Sequence, residues 1–185
     1  MFGIPGGKVV NGPRLRPLGL SDAPRVLDAF AAGSGMTRQG EVTTFEEAEA
    51  YVSRLIDVTG PHRAFAMVGE KDQLLGIVAL SIDTANRNAW FWYWTHPQGR
   101  GRGWTSRAAA TVADWALNAA GLHRLELGHR VNNPASRGVA LAAGFIQEGV
   151  ERDKFLVAGE RVDVLTYGRL VTDPSPATVL LPILV

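Results

Sequence analysis

The segment Thr95-His96-Pro97-Gln98-Gly99-Arg100-Gly101-Arg102-Gly103-Trp104-Thr105-Ser106 constrains this chain more than any other. It joins a strongly apolar, strand-like run, Ala89 to Thr95, to a run from about Trp104 to Ala120 with helical spacing. Glycines at alternate positions let the backbone turn sharply and bring successive N–H groups toward one point. The helix that follows adds the positive end of its dipole, roughly half a charge. Arg100, Arg102 and Arg107 add mobile positive charge for further phosphates. Such a junction suits a phosphate-bearing ligand. A P-loop would need Lys and then Ser or Thr after its last glycine, where Trp104 stands. A dinucleotide fingerprint spaces its glycines as G-x-G-x-x-G, whereas here they fall at 99, 101 and 103. Glu126 could imitate the ribose-binding acid of that fingerprint. However, three antiparallel strands are expected before the loop, and too little chain follows it for a doubly wound sheet. The bland alternative is a basic surface turn.

Around this junction the chain reads β, α, α, βββ, α, β, α, ββ. A short strand is expected over Leu15 to Leu20, with Ser21 as the cap of the next helix and Pro24 in its first turn. Thr44 and Glu47 have capping-box spacing, and Phe45, Ala48, Tyr51, Val52, Leu55 and Ile56 recur as one helical face. Gly60-Pro61 ends that helix. Runs at Ala64–Val68, Leu74–Ile82 and Ala89–Thr95 predict a meander of three strands. After the Trp104–Ala120 helix come a strand at Leu122–Leu127, a helix at Pro134–Ala143, and strands at Ile146–Leu156 and Arg161–Leu170. The fold class expected is mixed α/β: a central, mostly antiparallel sheet with one β-α-β crossover and flanking helices. Residues 1–13 read as a lead-in, 14–171 as one domain, and 172–185 as an apolar tail. That tail would either contact a second copy as a homodimer or fold back on its own sheet.

A formal net charge of +1 gives no support for nucleic-acid binding. The chain has no cysteine, which rules out disulfides, thiolate catalysis and thiolate-held metal. His123 and His129 lack metal-ligand spacing to another histidine, so no metal is assigned. Val179 to Val185 is far shorter than the ~20 apolar residues of a membrane span. No signal-peptide pattern opens the sequence, and a cytoplasmic location is the expectation.

Arg100-Gly101-Arg102-Gly103-Trp104-Thr105 resembles the R/Q-x-x-G-x-G/A motif of the GCN5-related N-acetyltransferases. Tyr93-Trp94, His96-Pro97, Gly121 to Leu127, Asn133 to Ser136, Gly144-Phe145 and Glu148-Gly149 together resemble the ribosomal-protein N-terminal (RimJ/RimL-like) branch of that family. The resemblance is strong over about 80–170 and weaker from residue 14. It implies acetyl-CoA as the acetyl donor and a primary amine as acceptor. The acceptor would be a protein N-terminus, or alternatively a small amine such as an antibiotic, an amino acid or a polyamine. A coenzyme-binding module without catalysis is the rival reading. The resemblance places backbone groups near Trp94 and Thr95 along the pantetheine arm. It assigns the pyrophosphate to Arg100, Gly101, Arg102, Gly103, Trp104, Thr105 and Ser106, and a hydrogen bond to the same arm to Asn133. Asn133 before Pro134 is also a natural helix cap.

Acetyl transfer needs a neutral amine, stabilisation of the oxyanion and a proton for the leaving thiolate. The tyrosine that many members use as acid is Ala140 here, and Ser136, one turn earlier on the same helix face, is the substitute. The glutamate often found before the glycine loop corresponds to Trp90, which leaves Asp83, His62, Glu41, Glu148 or water as the base. Thr105 replaces a small residue, so its side chain must point clear of the ligand. Alternation puts Trp90, Trp92 and Trp94 on one face, as a packed surface or as an aromatic wall of the acceptor pocket.

Overall fold

The computed structural model describes residues 12–32, 36 and 39–184; all but the last two residues of the expected lead-in lie outside that set. Seven strands form one sheet: β1 (Arg14–Pro17), β2 (His62–Val68), β3 (Leu74–Asp83), β4 (Asn88–Thr95), β5 (Arg124–Arg130), β6 (Ile146–Val157) and β7 (Glu160–Leu170). Their order is β1-β2-β3-β4-β5-β7-β6. Every neighbouring pair is antiparallel except β4 and β5, which run parallel. The parallel pair needs a crossover, and α3 (Trp104–Asn118) supplies it.

The other helices are α1 (Ala23–Ala31), α2 (Phe45–Ile56) and α4 (Pro134–Ala142). Thr44 caps α2 as expected: its side chain accepts from the Glu47 N–H, and the Glu47 carboxylate accepts from the Thr44 N–H. At α1 the cap differs from expectation. Ser21 lies inside a 3₁₀ turn, Leu20–Asp22, and Asp22 precedes the helix. The Asp22 carboxylate accepts from the Gly19 N–H and from Arg16, so the turn closes on Asp22 rather than on Ser21.

Two cores sandwich the sheet. On one face α3 and α4 cover Leu80, Phe91, Leu125, Leu127 and Tyr167. On the other α1 and α2 cover Ala66, Ile77, Ala79 and Trp94. The strand alternation expected for the aromatic block holds: Trp92 and Trp94 pack on the α1/α2 face, Phe91 and Tyr93 on the α3/α4 face.

The tail returns to its own sheet. Leu15 donates to the Pro182 carbonyl at 2.9 Å, Leu184 donates to the Leu15 carbonyl at 2.8 Å, and Leu15 bridges Ile183 in parallel. These bonds occupy the open edge of β1. Among the described residues no helix is long and apolar enough to cross a membrane.

Candidate active site

β4 and β5 pair only at Asn88–Arg124, Ala89–Leu125 and Trp90–Glu126. β4 then runs on to Thr95 and β5 to Arg130 without further pairing. The splayed halves open a cleft of about 850 Å³, lined by Phe91 to Thr95 on one side and Leu127 to Arg130 on the other. His96 donates its N–H to the Leu75 carbonyl, and β3 and β4 stay in register from there to Asn88. Antiparallel alternation therefore turns the backbone groups of Trp94 toward β3, and those of Tyr93 and Thr95 toward the cleft. An exposed strand edge of this kind accepts a further extended chain carrying amides.

At the mouth of the cleft the glycine loop leads into α3. Gly99 is buried, and a Cβ there would lie 2.9 Å from the Leu75 carbonyl oxygen, so only glycine passes. Gly101 and Gly103 have φ of 73° and 69°, the left-handed region that favours glycine. Gly103 is the N-cap of α3 and offers no side-chain cap. Among the described residues the N–H groups of Gly101 to Ser106 find no acceptor, and the first helical bond runs from Arg107 to Gly103. Helix dipole, convergent amides and Arg100 give this junction the chemistry an anion needs. It fits the pyrophosphate of coenzyme A, as the unpaired edge of β4 fits the pantetheine amides.

The loop's side chains are largely committed. The Thr105 hydroxyl bonds the Thr95 hydroxyl at 2.7 Å, which turns it away from the amides. Arg102 stacks over the Trp104 ring at 4.8 Å. Arg100 Nε donates to the Thr95 carbonyl. Arg107 departs from the expectation of a phosphate ligand: it donates to the carbonyls of Val179 and Leu180 and so clamps the tail. The buried His96 ring anchors the start of the loop, with Nδ1 accepting from the Gln98 N–H and Nε2 meeting Asp28 of α1 at 3.1 Å.

Asn133 and Ser136 line the other wall. Asn133 Oδ1 accepts from the Ser136 N–H at 3.1 Å, so it does cap α4. Its amide nitrogen has no bond among the described residues, and neither does the Ser136 hydroxyl. Ala140 is fully buried. Tyr93, which entered the sequence analysis only within the Tyr93-Trp94 motif, reaches across from β4. Its phenol donates to the Ser136 carbonyl at 3.0 Å, and burial pushes its pKa up to about 12.

Of the groups named as possible bases, only His62 lines the cleft. Its Nδ1 meets the Ser81 hydroxyl at 3.1 Å, and Nε2 has no bond among the described residues. Asp83 is spent on the β3–β4 turn, where the Asn86 side chain and backbone hold its carboxyl below the usual range. Glu148 is held by Arg124, which lowers its pKa. Glu41 is exposed and outside the cleft. His129 does line the cleft, but both of its ring nitrogens are engaged, by the Arg130 carbonyl and the Tyr167 hydroxyl. The His129 and Tyr167 rings stack diagonally across β5 and β7, and single-sequence periodicity carries no signal for such a contact.

The sequence model of the acetyltransferase (GNAT) domain matches residues 14–146. Solved structures of the same fold include spermidine N-acetyltransferase from Vibrio cholerae in complex with CoA and spermine. It is 24% identical, with 87% of this chain and 96% of that chain covered, at a TM-score of 0.77. A dodecameric structure of spermidine N-acetyltransferase from the same organism is 23% identical, with 86% and 94% covered, at a TM-score of 0.74. No curated protein sequence matches this chain. With the splayed strands, the uncapped α3 and the matched domain in agreement, the chain belongs to the acetyltransferase (GNAT) domain family and is an acyl-CoA-dependent N-acetyltransferase.

Proposed function

We propose that this protein acetylates the primary amine of a small, diffusible molecule, with acetyl-CoA supplying the acetyl group as an activated thioester. The observation that carries this reading is the cleft itself. Its volume of about 850 Å³ is shared between the glycine-loop end and the end lined by Tyr51, Arg54, Leu55, His62, Trp90 and Trp92, which leaves the acceptor only part of a space already within the ~300–1,000 Å³ usual for small-molecule sites. Tyr51 and Leu55 of α2 line it together with Trp90 and Trp92. The solved proteins of the same fold, described as spermidine N-acetyltransferases, support a small amine over the protein N-terminus that the sequence resemblance implied.

In this reading the amides of Gly101 to Ser106, with Arg100, hold the pyrophosphate, and Tyr93 and Thr95 hold the pantetheine arm by their backbone. Trp94 contributes its indole, which donates to the Tyr51 hydroxyl at 3.2 Å and fixes that part of the cleft lining. Asn133 offers its free amide N–H groups to the same arm. His62 Nε2 takes the proton from the acceptor amine, directly or through water. The Ser136 hydroxyl gives its proton to the departing sulfur and regains one from solvent, to which His62 releases the amine's proton, and Tyr93 sets the position of that turn of α4.

Calorimetric titration with acetyl-CoA tests the donor site. One-site binding, abolished in Gly103→Glu, is expected. Thiol release is then followed with a panel of small amines and a panel of peptides. Turnover of small amines supports the reading, and turnover of peptides alone overturns it. Ser136→Ala should lower kcat roughly 100-fold with KM for acetyl-CoA held, the scale of a lost general acid.

A further inference from the structure

The acceptor side of the cleft has a sign. No aspartate or glutamate lines the cleft, and the residues outside the described set contain neither. The charged groups that do line it, away from the glycine loop, are Arg54 on α2 and Arg130 at the end of β5, together with the ionisable ring of His62. Neither arginine has a carboxylate partner among the described residues. The Arg54 guanidinium lies 5.4 Å over the Tyr51 ring and makes no hydrogen bond there. Arg130 buries its Nε with no acceptor among the described residues. Arg124, three strand alternations before Arg130 on the same face of β5, is paired instead with Glu126 and Glu148. A guanidinium carries five fixed donors and is never neutral, so leaving Arg130 half-buried and unpaired is costly unless an anion completes it, and the exposed Arg54 adds a second guanidinium to the same cleft.

A polyamine brings only positive charge to such a wall. It would meet two cations and an aromatic surface, without the carboxylates that a polycation needs. From the charge of the wall we infer that the acceptor is a small amine bearing its own carboxylate. Arg54 and Arg130 take the carboxylate, and the amine points along Trp90 and Trp92 toward His62. This rests on the small-amine reading above and names the class within it. The same guanidiniums discriminate by charge: a carboxylate gains bidentate hydrogen bonds, while its amide leaves the donors unpaired.

The test compares initial rates for a panel of free amino acids, their carboxamides and spermidine, at saturating acetyl-CoA, in wild type, Arg54→Gln and Arg130→Gln. Wild type should favour at least one free amino acid over its own amide and over spermidine. Arg54→Gln should lower the acid-to-amide ratio of kcat/KM by roughly 10- to 100-fold, the worth of a lost hydrogen bond to a charged group. KM for acetyl-CoA should stay where it was. Arg54 is exposed, so its replacement leaves the cores intact, and Arg54→Lys should recover part of the ratio. Preference for spermidine or for the amides overturns the inference while the small-amine reading stands. No turnover of any small amine, with acetyl-CoA still bound, overturns both. A rise confined to KM for acetyl-CoA in Arg130→Gln assigns that guanidinium to the donor and removes it from the acceptor site.

Discussion

Among single residues, Tyr93 shows how one side chain can serve a strand, a helix and the cleft at once. Its ring packs on the α3/α4 core, its phenol ties the first turn of α4, and its backbone faces the opening. Burial raises its pKa from 10.0 to about 12, and burial raises that of Tyr51 to about 12 in the same way. The folded value lies above the unfolded one. The stabilisation is therefore complete below about pH 10 and is lost as the pH rises through 12. Urea midpoints measured across that window should fall steeply in wild type and less steeply in Tyr93→Phe or Tyr51→Phe; equal slopes would refute the assignment. Ser136 was legible as a residue because it stands in a recognisable Asn-x-x-Ser spacing. Tyr93 was not legible as its neighbour, because the two are brought together only by the packing of α4 on β4.

Comparison of the helices separates stability from function. α2 satisfies its own first turn: the Glu47 carboxylate accepts from the Thr43 and Thr44 N–H groups and the Thr43 hydroxyl, and the Thr44 hydroxyl accepts from Glu47. α3 begins at Gly103 with no side-chain cap, and its first amides have no acceptor among the described residues. Thr44→Ala should cost about 1 kcal/mol in chemical denaturation, the usual value of an N-cap. The bonds to Glu47 hold its pKa below the ordinary carboxylate value, with the backbone bond to Thr43 the largest cause. A depressed folded pKa stabilises above the unfolded pKa and ceases to do so as pH falls through the folded one. The midpoint difference between wild type and Glu47→Gln should therefore be present at neutral pH and close in acid. A gap that persists at low pH would mean the carboxylate's charge is not the source. Both helix starts were readable in the sequence, one from capping-box spacing and the other from glycines with no cap. Ser21 misled because Asp22, next to it, had the stronger partners in Arg16 and Gly19.

For the molecule as a whole, the tail closes the structure. Leu181 is 4% exposed within the α3/α4 core, and its N–H donates to the Thr111 hydroxyl at 2.8 Å. Thr178 and Arg107 add side-chain bonds that hold the same segment. Leu181→Ala should cost about 2–4 kcal/mol of unfolding free energy, as for a buried leucine elsewhere. The carbonyl contacts of Arg107 imply that this loss also reaches the first turn of α3. A weaker affinity for acetyl-CoA should accompany it in calorimetry. Unchanged stability would show that the tail is a passive cover.

The sequence by itself determined the elements, their order and the glycine loop that opens α3, because those depend on periodicity, glycine and capping residues a few positions apart. It also named Asn133 and Ser136, which lie in one short motif. Only the tertiary structure decided which candidate base stands in the cleft, where Arg107 goes, and that the tail seals the edge of β1. It alone brought Arg54 from α2 and Arg130 from β5 to one cleft whose lining carries no carboxylate. The physical reason is range: local propensities act over a helical turn or a strand pair, whereas the charge of a cleft is set by side chains far apart in sequence that meet only when the sheet splays.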